Sequence, residues 1–152
     1  MRASVLAPSA ALLGALACAP GTPEPQVLDT RNEACASCRM SVSDARFAAQ
    51  VVAPGELPSF FDDLGCLASF LKAGKAKGRA VAFVADHRTK AWVRADHAIY
   101  TRVPGLATPM GSHLMAHIDA ASRDQDPLAH GGSPVAPAEL FGEAGPPTGP
   151  AP

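Results

Sequence analysis

The sequence has no excess of charge of either sign: 13 basic and 14 acidic side chains leave a formal net charge of −1 at pH 7. A nucleic-acid partner would call for a basic face, so this balance removes the electrostatic case for one. Also missing is an apolar run long enough to cross a bilayer as a mature helix; the longest lies within residues 1–17 and is too short. Of the four cysteines, only Cys35 and Cys38 form a closely spaced pair. A structural zinc site wants four N or S ligands in two spaced pairs, and no second Cys pair exists.

What is present is a sulfur-rich stretch, Cys35-Ala-Ser-Cys-Arg-Met40, with three sulfur-bearing residues in six positions. Thiolate and thioether together suit a soft monovalent ion such as Cu(I). Two Cys separated by two residues also occur in zinc sites and in thiol redox enzymes. The redox reading wants the pair at the start of a helix, which lowers the thiol pKa. Here Met40-Ser-Val-Ser-Asp44 and a strand-like run follow instead. A plain Cys35–Cys38 disulfide is the structural alternative.

The N-terminus sets the compartment. Arg2 and the apolar run through Leu12, Leu13, Leu16 and Ala17 have the grammar of a signal peptide over residues 1–17. The run ends in Ala15-Leu16-Ala17-Cys18, which resembles a bacterial lipobox with Ala15 where Leu is usual. On that reading Cys18 is lipidated and holds the protein to the periplasmic side of a bacterial inner or outer membrane. Soluble export with an ordinary Cys18 is the alternative. Without Cys18, the three remaining cysteines are an odd number and a poor disulfide framework. Residues 18–33 are Pro/Gly-rich and read as a tether. Sixteen residues separate Cys18 from Cys35, enough at about 3.1 Å each to hold the pair up to roughly 50 Å from the membrane. Residues 143–152 read as a disordered tail.

Between these ends, residues 34–142 predict an α+β domain of two small ββαβ-like units, 34–89 and 90–142. Arg46 to Val52 reads as a strand ended by Pro54-Gly55. Phe60, Leu64, Leu67 and Leu71 form a one-sided helical stripe stopped by Gly74, with Asp62 and Asp63 as capping residues in its first turn. Cys66 borders that stripe as a small core residue, or as a site neighbour through Asp62 and Asp63 one turn back. Ala80 to Ala85 reads as a buried strand, and Ala91–Ala95 and Ala98–Val103 as two strands joined at Asp96-His97. Ser112 to Ile118 reads as a strand leading into a helix around Ala120–Leu128, with a closing strand over Ser133–Ala136.

Met40-Ser-Val-Ser and Met110-Gly-Ser-His precede the central strands of the two halves at equivalent places, a weak internal duplication. Two units packed face to face would let Met40 and Met110 meet. Core filling is the structural alternative for both, and Met115 fits the core better than a site. His87, His97 and His130 stand beside turn-like residues and read as solvated. His113, near Met110, is the one histidine placed as a candidate ligand. Trp92 and Tyr100 read as core or half-buried strand residues.

Cys35-Ala-Ser-Cys-Arg-Met40, Ala45-Arg-Phe-Ala-Ala-Gln50, Phe61-Asp-Asp-Leu-Gly-Cys-Leu67, Ala91-Trp-Val, Ala98-Ile-Tyr100, Thr108-Pro-Met-Gly111 and Gly131-Gly132 together resemble the NosL family, from about Cys35 to Glu139. These are lipoproteins that act as copper chaperones for nitrous-oxide reductase in denitrification. The resemblance implies a fold akin to alkylmercury lyase and one Cu(I) held by Cys38, Met40 and Met110, with Cys35, Cys66 or His113 open as further ligands. Family members typically carry Gly where this chain has Arg39. Three functions therefore stand side by side. They are a Cu(I) chaperone without catalysis, a relative of organomercurial lyases using Cys38, Cys35 or Cys66 with Asp62 or Asp63, and a thiol-disulfide reductase. A thioether contributes nothing to the last two chemistries, so the Met pair favours the first.

Overall fold

A computed structural model describes residues 21–149. Residues 1–20, on which the expected signal peptide and the expected lipidation at Cys18 fall, lie outside the described residues. The remainder is α+β, with two small antiparallel sheets and short helices. The first sheet comprises β1 (Ala49–Val52), β2 (Ser59–Phe61), β3 (Val81–Ala85) and β4 (Trp92–Arg94), in the order β2-β1-β3-β4. The second comprises β5 (Ile99–Arg102), β6 (Leu114–His117) and β7 (Ser133–Val135), in the order β6-β5-β7. Helix α1 (Leu64–Lys72) connects β2 to β3, and α2 (Ala120–Asp124) with a 3-10 turn at Pro127–Ala129 connects β6 to β7. Both halves thus run strand, strand, helix, strand, and in both the first strand lies between the other two. Among the described residues, no helix is long and apolar enough to cross a membrane.

Every residue of β1 and β3 is buried, as an apolar run covered on both faces should be. One core runs through both halves, joining Val42, Phe61, Leu64 and Leu67 to Tyr100, Leu114 and Phe141. Asp86, fully buried just after β3, fastens the halves at a second point. Its Oδ1 accepts the N–H groups of Arg88 and Thr89 and the Thr89 hydroxyl, while Oδ2 accepts Ile118 N–H and the Ser122 hydroxyl across the junction. Burial pushes its pKa up, but the Ile118, Ser122 and Thr89 donors outweigh burial and hold the carboxyl well below the usual range.

Several expectations need correction. The helical stripe does not begin at Phe60: Ser59–Phe61 pairs with β1, and the helix starts at Leu64 once Asp63 caps it. Strand β4 pairs with β3 and not with β5, so the chain passes between sheets at Asp96–Ala98 and not at residue 90. A third helix, α3 (Pro137–Phe141), carries Leu140 and Phe141 into the core. Neither flank stands off over its whole described length. Gln50 is buried in β1 and needs partners for its amide, and it exchanges two hydrogen bonds with the backbone of Gln26 at 2.8 and 3.0 Å. In the tail, Pro147 accepts Ala82 N–H and Thr148 bridges Val81, beyond the point where β4 stops covering β3.

Candidate metal centre

The sulfur stretch folds into a tight turn closed on itself. Cys35 N–H donates to Met40 O at 2.8 Å and Arg39 N–H to Cys35 O at 3.0 Å, while Ala36 N–H pins the turn to Phe60 O of β2. To close the turn, Arg39 takes φ of 69°, a left-handed conformation that favours glycine. That gives a backbone reason for the Gly of the resembled motif. Arg39→Gly should raise stability by about 0.5–1 kcal/mol, the left-handed cost less the greater chain entropy of Gly. A urea midpoint unchanged or lower would contradict it.

The turn brings Cys35 and Cys38 to Cys66 on the first turn of α1 and to Asp62, with one ligand atom from each within 4.8 Å of the others. This Cys35/Cys38/Cys66 and Asp62 cluster could hold a metal ion. All three cysteines are free; Cys35 and Cys66 are buried and Cys38 is half-buried. The Cys38 thiol lies 3.4 and 3.5 Å from the two Asp62 oxygens, within reach of a hydrogen bond from sulfur. Burial first, then its contacts with Cys35 and Asp62, push the Cys38 thiol pKa up against the opposing Met40 N–H. Cys66 is pushed up too, again by burial and then by Asp62.

Asp62 and Asp63 are adjacent but work in opposite directions. Asp62 faces the thiols. Asp63 Oδ1 caps α1 by accepting Gly65 N–H at 2.6 Å, and its Oδ2 accepts Met110 N–H at 3.0 Å. A single buried carboxylate therefore ties the Met110 loop to the helix beneath the cysteines. That loop approaches so closely that a Cβ on Gly65 would meet Ser112 Cβ at 3.1 Å, tighter than ordinary contact.

Met40 and Met110 line one open cleft together with Phe47, Asp62 and Thr108. At 60% and 49% exposed, neither fills a core, whereas Met115 is fully buried in β6 and does. The two Met loops are not equivalent in the repeat: Met40 precedes β1, but Met110 lies between β5 and β6. They share the cleft because the halves pack together, not because they occupy equivalent places in the two units. His113 is not gathered with the thiols; it is exposed, with Nδ1 2.7 Å from Leu106 O. His97 and His130 are exposed as expected, but His87 is buried and faces Asp126 with His117. Compared with family models, curated proteins and solved structures, the chain matches none.

Proposed function

We propose that this protein is a Cu(I)-binding chaperone of NosL type, holding copper through Cys38, Met40 and Met110, with Cys35 and Cys66 behind them. Lipid-anchored at Cys18 on the periplasmic side, it would hand the ion to a copper enzyme, nitrous-oxide reductase on the family resemblance, with no catalytic step of its own. The observation that carries this reading is the open cleft lined by two half-exposed thioethers, Met40 and Met110, together with Asp62, whose carboxylate lies 3.4 Å from the Cys38 thiol. Soft donors prefer Cu(I) to divalent ions of the medium, and thioethers stay neutral and available at any pH. Exposure suits transfer, in which the recipient's ligands replace the donor's one at a time.

The reduced full chain should take up close to one Cu(I) in competition with a chelating dye, and Met110→Leu, which keeps size and apolarity, should weaken it at least tenfold. A Met110→Leu titration identical to the parent would remove the second half from the site.

A second reading draws on the Cys38–Asp62 contact. A thiolate that captures the mercury of an organomercurial, beside a carboxylic acid that protonates the departing carbon, is the arrangement a C–Hg protonolysis needs. Release of methane from methylmercury would favour it over carriage. The raised pKa of Cys38 weighs against disulfide exchange, where a low thiol pKa is wanted.

A further inference from the structure

Neither His87 nor His117 has a part in the sulfur cleft, yet His117 is fully buried and His87 is 3% exposed. They come from separate segments: His87 follows β3, His117 ends β6, and their common partner Asp126 opens the 3-10 turn. Asp126 Oδ2 lies 2.5 Å from His87 Nδ1 and 3.1 Å from His117 Nε2, while Oδ1 accepts Leu128 N–H at 3.0 Å. The three residues offer ligand atoms all within 4.8 Å of one another. The Phe47 ring, 5.0 Å from that of His87, packs against the group.

As a cluster made only for hydrogen bonding, this is a costly arrangement. A carboxylate can only accept, so each facing ring nitrogen carries a proton and both point at one oxygen. The opposite nitrogens, His87 Nε2 and His117 Nδ1, are buried without a partner among the described residues, each at a cost of about 1–3 kcal/mol. Two imidazoles and a carboxylate converging from three segments form the donor set of a borderline divalent ion, and they contain no sulfur to attract Cu(I).

We propose that His87 Nδ1, His117 Nε2 and a carboxylate oxygen of Asp126 form a second metal site, for a divalent ion of the Zn(II) or Co(II) class. It shares no ligand with the sulfur cleft, though Phe47 borders both, and it joins the two halves of the fold. Ligation moves each ring's proton to the nitrogen pointing away from the ion, so loading releases no net proton from the rings; the outer nitrogens stay buried, and what the ion relieves is the convergence of two ring N–H groups on one carboxylate oxygen. With the group closed to solvent, the ion enters when the halves part, and loading is coupled to folding.

The test uses Co(II) as the probe, added during refolding of the full chain carrying Cys35→Ser, Cys38→Ser and Cys66→Ser. The expected result is retention of one equivalent with visible d–d bands and no thiolate charge-transfer band. Two hyperfine-shifted, slowly exchanging imidazole N–H resonances should accompany it, one from each ring. His117→Gln and Asp126→Asn in the same background should each lower affinity at least tenfold. The parent chain, thiols intact, is read in the same way, so poor folding of any variant leaves the two resonances as the criterion. Failure to retain Co(II), retention without both resonances, or folded His117→Gln and Asp126→Asn variants with parental affinity would each overturn the site.

Discussion

Cys38→Ser is expected to weaken Cu(I) binding by about a hundredfold or more, since even residues that only orient metal ligands are worth ten- to a hundredfold in affinity. The fold should survive. Cys38 is half-buried, and its side-chain partner is the carboxylate of Asp62 at 3.4 Å, which a serine hydroxyl can also reach. Far-ultraviolet circular dichroism of the variant should match the parent while the dye competition fails. Acidity supplies a second signature. Burial holds the metal-free Cys38 thiol above its ordinary pKa, so at neutral pH it is protonated and must lose a proton to bind the metal. Parental affinity should therefore rise with pH by about tenfold per unit for each thiol ligated, and the slope in Cys38→Ser should be smaller by one proton. A variant with the parent's affinity and slope would move the copper to Cys35 and Cys66.

Asp86→Ala is expected to cost about 4 kcal/mol, because it orphans two donors at the junction, Ile118 N–H and the Ser122 hydroxyl, at about 1–3 kcal/mol each, and loses the turn at Thr89 besides. Against a typical domain stability of about 5–15 kcal/mol, that is a large share. Urea denaturation measures it, and a loss below about 1 kcal/mol would mean that water takes over those donors. The sign with pH follows from the direction of the shift. The folded pKa lies below the reference value of 3.8, so the contribution is fully present above about pH 4 and is lost as acid protonates the folded carboxyl. Acid sensitivity below about pH 4 should accordingly be blunted in Asp86→Asn.

How far such features could be read from the chain depended on the distance between partners. The Leu64, Leu67 and Leu71 spacing marked α1, and Asp63 beside it was legible as a cap because both lie within one turn. Cys66 reads as a site neighbour because Asp62 and Asp63 stand four and three positions before it; Asp62 itself precedes the cap of α1 and reaches the thiols from outside the helix. His87 reads as solvated because Asp86, Arg88 and Thr89 around it are turn residues, whereas the structure buries it against Asp126, 39 positions away. No local pattern announces that pairing. Strand β4 went to the first sheet for a related reason, since Phe83–Ala85 offers it a partner edge that alternation in Ala91–Ala95 does not reveal. The second role of Asp63, holding Met110 N–H, likewise spans 47 positions.

The paired amide bonds between Gln26 and Gln50 have a mechanical consequence. Gln26, nine residues before Cys35, is hydrogen-bonded on both sides of its peptide to the side chain of Gln50, so tension on the N-terminal flank passes into β1, a fully buried strand. The turn that carries Cys35, Cys38 and Met40 hangs downstream of that clamp, held to Phe60 by its own bond. A pull from the N-terminal side is thereby taken up by the sheet before it reaches the turn, and the sulfur atoms keep their spacing.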